Sequence, residues 1–406
     1  MHETAAARPA SRPAWLIESA DFWRLWFVGL VVFTVRWVET VAVGVFVYQQ
    51  TGSAFIVAMM TMLRLLPMGL FGAFLGAIAE RVERRATLIV VVASMVATSL
   101  TLATLAYLDL LAVWHLAVAS FINGVAWATD NPVRRVMIGE AVGAAQMGTA
   151  MSIDVGANNA SRMVGPTIGG LLLAGVGIHG VFTLSVVLYT VAVFAACRVR
   201  YRNLFPPAST ESVLARIAEG VRLVRGDRRL IGTLTVTVIY NVFGWPFTSM
   251  VPVIGQDHLL LGPEGIGILA SMDGIGAFAG AVLMAMFCRP AFYRTAYVGG
   301  VMLYMLMLTV FALVPLPALA GGALMMTGLG GAGFSIMQAT LVYLASPPEM
   351  RSRMLGVLSV CIGIGPVGFI GLGWLADAIG ATWATAATGL AGLLAMLLAR
   401  PLWRAI

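Results

Sequence analysis

The chain contains no lysine; all 25 of its basic residues are arginine. Charge of either sign is scarce, at 11% of 406 residues, and there are only three cysteines and four histidines. Cys197, Cys288 and Cys361 stand apart, within or beside apolar runs, so neither a disulfide framework nor a CxxC metal pair is predicted. His115 and His179 are isolated near the ends of apolar segments, which argues against a zinc site, and no metal is expected. HExxH, GxSxG and GxxxxGK[ST] patterns are also missing. Their absence speaks against a zinc hydrolase, a serine hydrolase of the elbow type and an ATP-driven machine. The expectation is a protein that is not an enzyme and needs no cofactor.

What the chain has in excess is apolar surface. Sixty per cent of its residues are hydrophobic, 45 are glycine, and the mean hydropathy is +0.93. A water-soluble domain of this size could not cover so much, so most of the chain is predicted to lie in lipid. A spanning helix needs about 20 apolar residues. Runs that satisfy this lie at 22–48, 53–79, 87–107, 111–136, 147–173, 178–197, 230–254, 264–287, 295–314, 318–345, 354–376 and 381–399. The predicted fold class is an all-α integral membrane protein of twelve transmembrane helices in two six-helix halves. The halves are 22–197 and 230–400, flanked by an N-terminal extension 1–21 and a C-terminus 401–406, and joined by a linker 198–229. That linker contains STESVLARIAEGVRLVR, an amphipathic pattern suited to a membrane surface. The polar N-terminal stretch lacks a short apolar core followed by an A-x-A-type site, so the first span is expected to be retained.

Arginine placement orients the chain. Twenty-two of the 25 fall at the N-terminus, in the even-to-odd links or at the C-terminus, and none falls in an odd-to-even link. By the positive-inside rule both termini and the linker are expected in the cytoplasm, with the protein in a bacterial inner membrane. The net charge of +7 hugs span ends, so nucleic acid is not an expected partner. The expected partners are a small-molecule substrate, protons and the lipid bilayer, for a monomer.

The halves echo one another. GAFLGA at Gly72–Ala77 returns as GAFAGA at Gly276–Ala281, and Gly165-Pro166 returns as Gly365-Pro366, each about two hundred positions later. Repeats of six spans are a transporter architecture. The second span ends in GAIAERVERR, Gly76–Arg85, and the fifth carries Gly165-Pro166-x-x-Gly169-Gly170. With these motifs the chain resembles the major facilitator superfamily over nearly its whole length. The first is similar to that superfamily's GxxxDRxGRR loop, with Glu80 and Glu83 in place of Asp and Gly, and the second to a motif of its antiporters and exporters. LLP at Leu65–Pro67, EGVRLVRGDRRL from Glu219, YNVFGWPFTSMVP and SPPEMRSRMLG are similar to the subgroup holding macrolide-efflux and enterobactin-exporter proteins. One departure is Ser120, four residues before Gly124, where many proton-coupled exporters place an arginine. The resemblance implies that Gly76, Glu80, Arg81, Arg84 and Arg85 form a conformational latch. A solvated positive-inside loop is the alternative. Proline and glycine physics makes Gly165, Pro166, Gly169, Gly170, Gly365 and Pro366 candidate hinges, or simply sites of tight packing.

Seven ionisable residues lie well inside spans: Arg36, Glu39, Arg64, Asp130, Asp154, Arg162 and Asp273. An intramembrane charge costs roughly 3 kcal/mol or more, so each needs an offset. Arg36, Arg64 and Arg162 are at similar depth, near the midplane. Glu39 is i+3 from Arg36, and Asp154, Asn158 and Arg162 share an i, i+4, i+8 face. Two readings remain open. In one, the charges only neutralise each other, Glu39 with Arg36 or Arg162, and Asp154 with Arg134 and Arg135. In the other, Arg36, Arg64, Arg162 and Asn158 bind substrate while Glu39, Asp154, Asp130 or Asp273 carries protons. Asn123, Trp127, Tyr240, Asn241, Trp245 and Gln338 lie on spans that face the cavity in the superfamily, and aromatic and amide groups suit a bulky organic ligand. The expected function is a secondary active, proton-coupled exporter of amphiphilic or anionic organic molecules, drug or siderophore-like. Uptake, metal or metal-chelate transport, and a non-transporting sensor are the alternatives.

Overall fold

The computed structural model describes residues 17–200 and 222–406 apart from 82, 144, 223, 225, 348 and 349, with the course of the backbone but not the side chains at 71–81, 352 and 355. The latch positions Gly76, Glu80 and Arg81, the N-terminal extension up to 16 and most of the linker 198–229 thus fall outside the described side chains. Among the described residues there is no strand.

Six long helices come first: α1 Ala20–Thr51, α2 Ala54–Arg81, α3 Arg84–Tyr107, α4 Val113–Val142, α5 Met147–Gly175 and α6 Ile178–Cys197. After the linker come α7 Arg228–Ile239, α8 Val251–Asp257, α9 Pro263–Phe287, α10 Tyr293–Leu313, α11 Pro317–Ala345, α12 Arg351–Ile362, α13 Gly365–Ile379, α14 Ala381–Leu398 and the short α15 Arg400–Trp403. Nine helical segments among the described residues are long and apolar enough to cross a membrane. The charge-bearing α4 and α5, at 30 and 29 residues, fall short in composition rather than length. Trp114, Phe194, Phe287, Trp374 and Trp383 are more than half exposed on the outside. Large apolar groups turned outward along so many helices fit a hydrocarbon surround, where burial in water-excluding protein is not required.

Two predicted spans are not continuous. The run 230–254 is α7, a π turn at Tyr240–Gly244, a 3₁₀ turn at Trp245–Ser249 and then α8. Pro246 and Pro252 donate no backbone hydrogen bond and crowd the preceding turn, so the regular ladder cannot be kept across this stretch. The run 354–376 breaks between Ile362 and Gly365, just before Pro366.

The first six helices pack mainly among themselves, α1 on α5 and α6, α2 on α4, and α3 on α4 and α6. The later helices do likewise, α11 on α9 and α10, and α10 on α14. Two seams join the groups: α5 with α9, and α2 with α13. Glycine permits both. A Cβ on Gly267 would sit 2.5 Å from the Pro166 carbonyl oxygen, and one on Gly274 equally close to that of Arg162. Gly69 of α2 faces Gly363, where an added Cβ would meet backbone at 3.1 Å. Helices approach this closely only where one side carries no side chain.

Gly267→Ala should therefore force α5 and α9 apart and destabilise the fold by about 2 kcal/mol. Gly299→Ala, where the new methyl meets nothing within 4 Å, should leave the thermal midpoint of the detergent-purified protein unchanged. Equal midpoints for the two variants would contradict the seam.

Candidate functional site

Arg36, Arg64 and Arg162 project from the middles of α1, α2 and α5, and each finds a different environment. Arg64 reaches the Glu39 carboxylate at 3.4 Å, the Thr40 hydroxyl at 3.3 Å and the Arg36 carbonyl at 3.4 Å. Glu39 is only 2% exposed and also accepts from Asn123 at 3.4 Å and from Ser99 at 3.5 Å. Glu39, Thr40, Arg64 and Asn123 line a cavity of about 40 Å³ together with Ser120, roomy enough for a water or two with polar partners. Ser120 stands where many exporters have an arginine, so the cation lining this cavity comes from α2 rather than α4.

Arg162 pairs with Asp273 of α9, across the seam between the two helix groups. Glu39, expected to pair with Arg36 or Arg162, is engaged by Arg64 instead, whereas Asp154 pairs with Arg134 and Arg135 as the sequence suggested and Arg162 turns away from it. Helical geometry accounts for this. Eight residues at 3.6 per turn leave Arg162 roughly 80° around the helix from Asp154, facing α9 rather than α4. Beside the pair, Thr167 hydrogen-bonds to Ser271, its hydroxyl 2.7 Å from the serine oxygen.

Arg36 does not pair with Glu39. Its guanidinium lies 4.0 Å from the ring centre of Trp127 and 5.7 Å from that of Trp37, and the guanidinium of Arg162 lies 5.5 Å from the other neighbour of that site, the same Trp37 ring. Trp37 was not singled out by the sequence, although a tryptophan beside an intramembrane arginine was an available signal.

Nearer the terminal end, Arg134 is fully buried between two fully buried carboxylates, Asp130 at 3.4 Å and Asp154. Arg135, partly exposed, approaches Asp154 at 3.5 Å. At the opposite end of the molecule three contacts close the groups together. Tyr48 of α1 donates to Asp257 of α8. Asp377 of α13 accepts from the Ser53 hydroxyl at 2.7 Å and from the Phe55 amide at 3.0 Å, so a carboxylate of the later group caps the first turn of α2. Nothing in the sequence marks Asp257 or Asp377, which resemble ordinary polar residues at span ends.

Residues 14–403 match the transmembrane secretion effector family of major facilitator transporters. The chain belongs to this family. It is similar to macrolide efflux protein A of Streptococcus pyogenes, 22% identical over 88% of this chain and 90% of that protein. It is also similar to the multidrug efflux pump Tap of Mycolicibacterium fortuitum, 28% identical over 82% of this chain and 84% of that one. Among solved structures the nucleoside transporter NupG has the same fold, with a TM-score of 0.78 over 94% of this chain and 99% of that chain at 12% identity. The chain is a multi-pass membrane transporter of the major facilitator type, not an enzyme.

The remaining candidates are distributed unevenly over the transporter. Tyr240 stacks on Phe334 with centroids 3.7 Å apart, Trp245 lies edge-on to Phe369, and Asn241 bonds back to the Thr237 carbonyl at 2.8 Å. Gln338 reaches the Thr237 hydroxyl at 3.4 Å, so these four knit the later helices together. Asn158 is half-buried on α5. Arg84 pairs with Glu140 at 2.6 Å and Arg85 donates to the Cys197 carbonyl at 2.7 Å, both within the first group. α5 runs unbroken through Pro166. Gly165 lies against α1, where a Cβ would be 2.6 Å from that of Trp37, Gly169 abuts Val38, and Gly170 abuts α9. Gly365 and Pro366 begin α13, just after the break.

Removing one partner from the buried Arg134 cluster strands a charge. Asp154→Ala should destabilise the transporter by about 3 kcal/mol, seen as a lower thermal midpoint in detergent. An unchanged midpoint would mean that the cluster does not hold α4 to α5.

Proposed function

We propose that the chain is a proton-coupled exporter of small amphiphilic or anionic organic molecules in a bacterial inner membrane. In this reading it is a monomer of twelve spans in two six-helix halves, with both termini cytoplasmic, and it works by rocking the halves about a midplane site. The efflux proteins among its relatives and the arginine-rich terminal side support export and orientation. With that orientation, the Tyr48–Asp257 and Asp377–α2 contacts close the outer side, and this conformation would load from the cytoplasm.

The observation that carries the coupling is the Arg162–Asp273 pair. It spans the seam at mid-depth, next to glycines that let α5 and α9 touch. A proton on Asp273 removes one charge of the pair, and an anion at Arg162 competes for the other. Either event unlocks the seam, while the empty, deprotonated protein stays locked. Exchange follows from that rule, because only loaded forms can rock. Pro166 leaves a backbone hydrogen bond unmade in α5, the place where the helix would bend. Glu39, which lines a small cavity, is the second carboxylate proposed to carry a proton.

Asp273→Asn should abolish pH-gradient-driven flux of ethidium or carboxyfluorescein in inside-out vesicles while leaving dye binding measurable. Full gradient-driven flux in that variant would remove Asp273 from the mechanism, and inward movement in intact cells would favour uptake. At the outer side, Asp377→Ala should speed labelling of an engineered Val251→Cys by an impermeant maleimide by about threefold or more, since a smaller gap between states raises the open population. An unchanged labelling rate would show that the cap does not hold the outer side shut.

A further inference from the structure

The interior charges are not all answered where they stand. Arg134 and Arg135 lie with Asp130 and Asp154, Arg64 with Glu39, and Arg162 with Asp273. Among the described residues Arg36 alone of these buried arginines has no carboxylate and no acceptor for its guanidinium, only the faces of Trp127 and Trp37. Three donors near it are also unmatched, while the unmatched acceptors Asp273 Oδ1 and Asn123 Oδ1 belong to groups already engaged by Arg162 and Glu39. The indole N–H groups of Trp37 and Trp127 and the Nε of Arg162 are buried with no hydrogen-bond partner. Guanidinium and indole nitrogens only donate, whereas a carboxylate only accepts. A guanidinium without a local counter-charge, beside three unmatched donors at mid-membrane depth, calls for a single negative charge with several lone pairs. Two indole rings beside it supply a flat apolar wall.

We propose that Arg36, Trp37 and Trp127 form a substrate subsite for the carboxylate of an aromatic monoanion. The planar guanidinium fork matches a carboxylate bidentately, and the indole surfaces it leaves uncovered are apolar contacts for the ring that carries it. A dianion would overshoot the one unanswered guanidinium, and an ammonium would be repelled by it. This subsite lies beside Arg162 through the shared Trp37 ring, so a carboxylate arriving at Arg36 approaches the group that locks the seam. The proposal rests on the exporter reading above and narrows its substrate.

The test is direct binding of three probes to the full chain in nanodiscs, by calorimetry and tryptophan quenching: 2-naphthoate, 2-naphthamide and 2-naphthylmethylammonium. The naphthoate should bind at least about tenfold more tightly than the amide, the scale of one charge-assisted contact. Arg36→Gln should erase that preference. Arg36→Lys, which keeps the charge without the planar fork, should reduce the preference but not erase it. Trp127→Leu should weaken naphthoate and naphthamide alike. Equal binding of the three probes to the unmodified protein, or a preference that survives Arg36→Gln, would overturn the subsite. If Arg36→Gln does not fold, a preference undiminished in Arg36→Lys overturns it. Ethidium export without naphthoate binding would sink the subsite and leave the exporter reading intact. Naphthoate binding that depends on Arg36, without gradient-driven flux of any probe or dye, would do the reverse.

Discussion

A charge carried into hydrocarbon has to be answered by another group of the protein, because no water is there to do it. In this transporter that requirement decides which helices are tied to one another. Arg134 binds α4 to α5, and Arg64 binds α2 to α1 through Glu39. Both couplings lie inside the first group of helices. Arg162 is different because its carboxylate, Asp273, belongs to the later group. The same electrostatic demand thus makes two of the pairs braces within the first group and the third a bond between the two groups.

That third pair could not form without the backbone beneath it. Gly274 sets α9 against the carbonyl of Arg162, and Gly267 and Gly170 bring the two helices together further out. Close packing of this kind is stiff and discrete, since a methyl at any of these positions would collide with main chain. The Gly165-Pro166-x-x-Gly169-Gly170 motif serves both sides of α5. Gly165 and Gly169 seat it on α1, and Gly170 seats it on α9. α5 is therefore the element through which the tryptophan-flanked arginine of α1 and the ion pair of the seam are mechanically connected.

Much of this was legible in the sequence. Apolar runs of spanning length, the GAIAERVERR and GPTIGG motifs and the restriction of interior charges to particular spans led to a membrane transporter of the major facilitator type, and the family match bears that out. Seven interior charges were identified without coordinates, because hydropathy isolates each one against its apolar neighbours, but the fully buried Arg134 was read only as a neighbour at a span end. Breaks in the helices were less visible. Pro246 and Pro252 were in view, but whether a proline kinks a helix or converts it into π and 3₁₀ turns depends on what neighbouring helices re-satisfy.

Pairing was where sequence reasoning stopped. Depth and spacing suggested Glu39 with Arg36 or Arg162, which the structure does not show, and Asp154 with Arg134 and Arg135, which it does. Yet each side chain's partner is set by its direction around the helix axis and by which neighbour stands there. Asp257 and Asp377 look like solvated end residues until α1 and α2 are brought against α8 and α13. The sequence by itself determined that charges would lie in the membrane and on which helices, since that follows from local hydropathy. Only the tertiary structure decided that one pair crosses the seam and that Arg36 is left with tryptophans instead of a carboxylate. Those outcomes depend on azimuth and contact between segments more than a hundred residues apart, which no local pattern encodes.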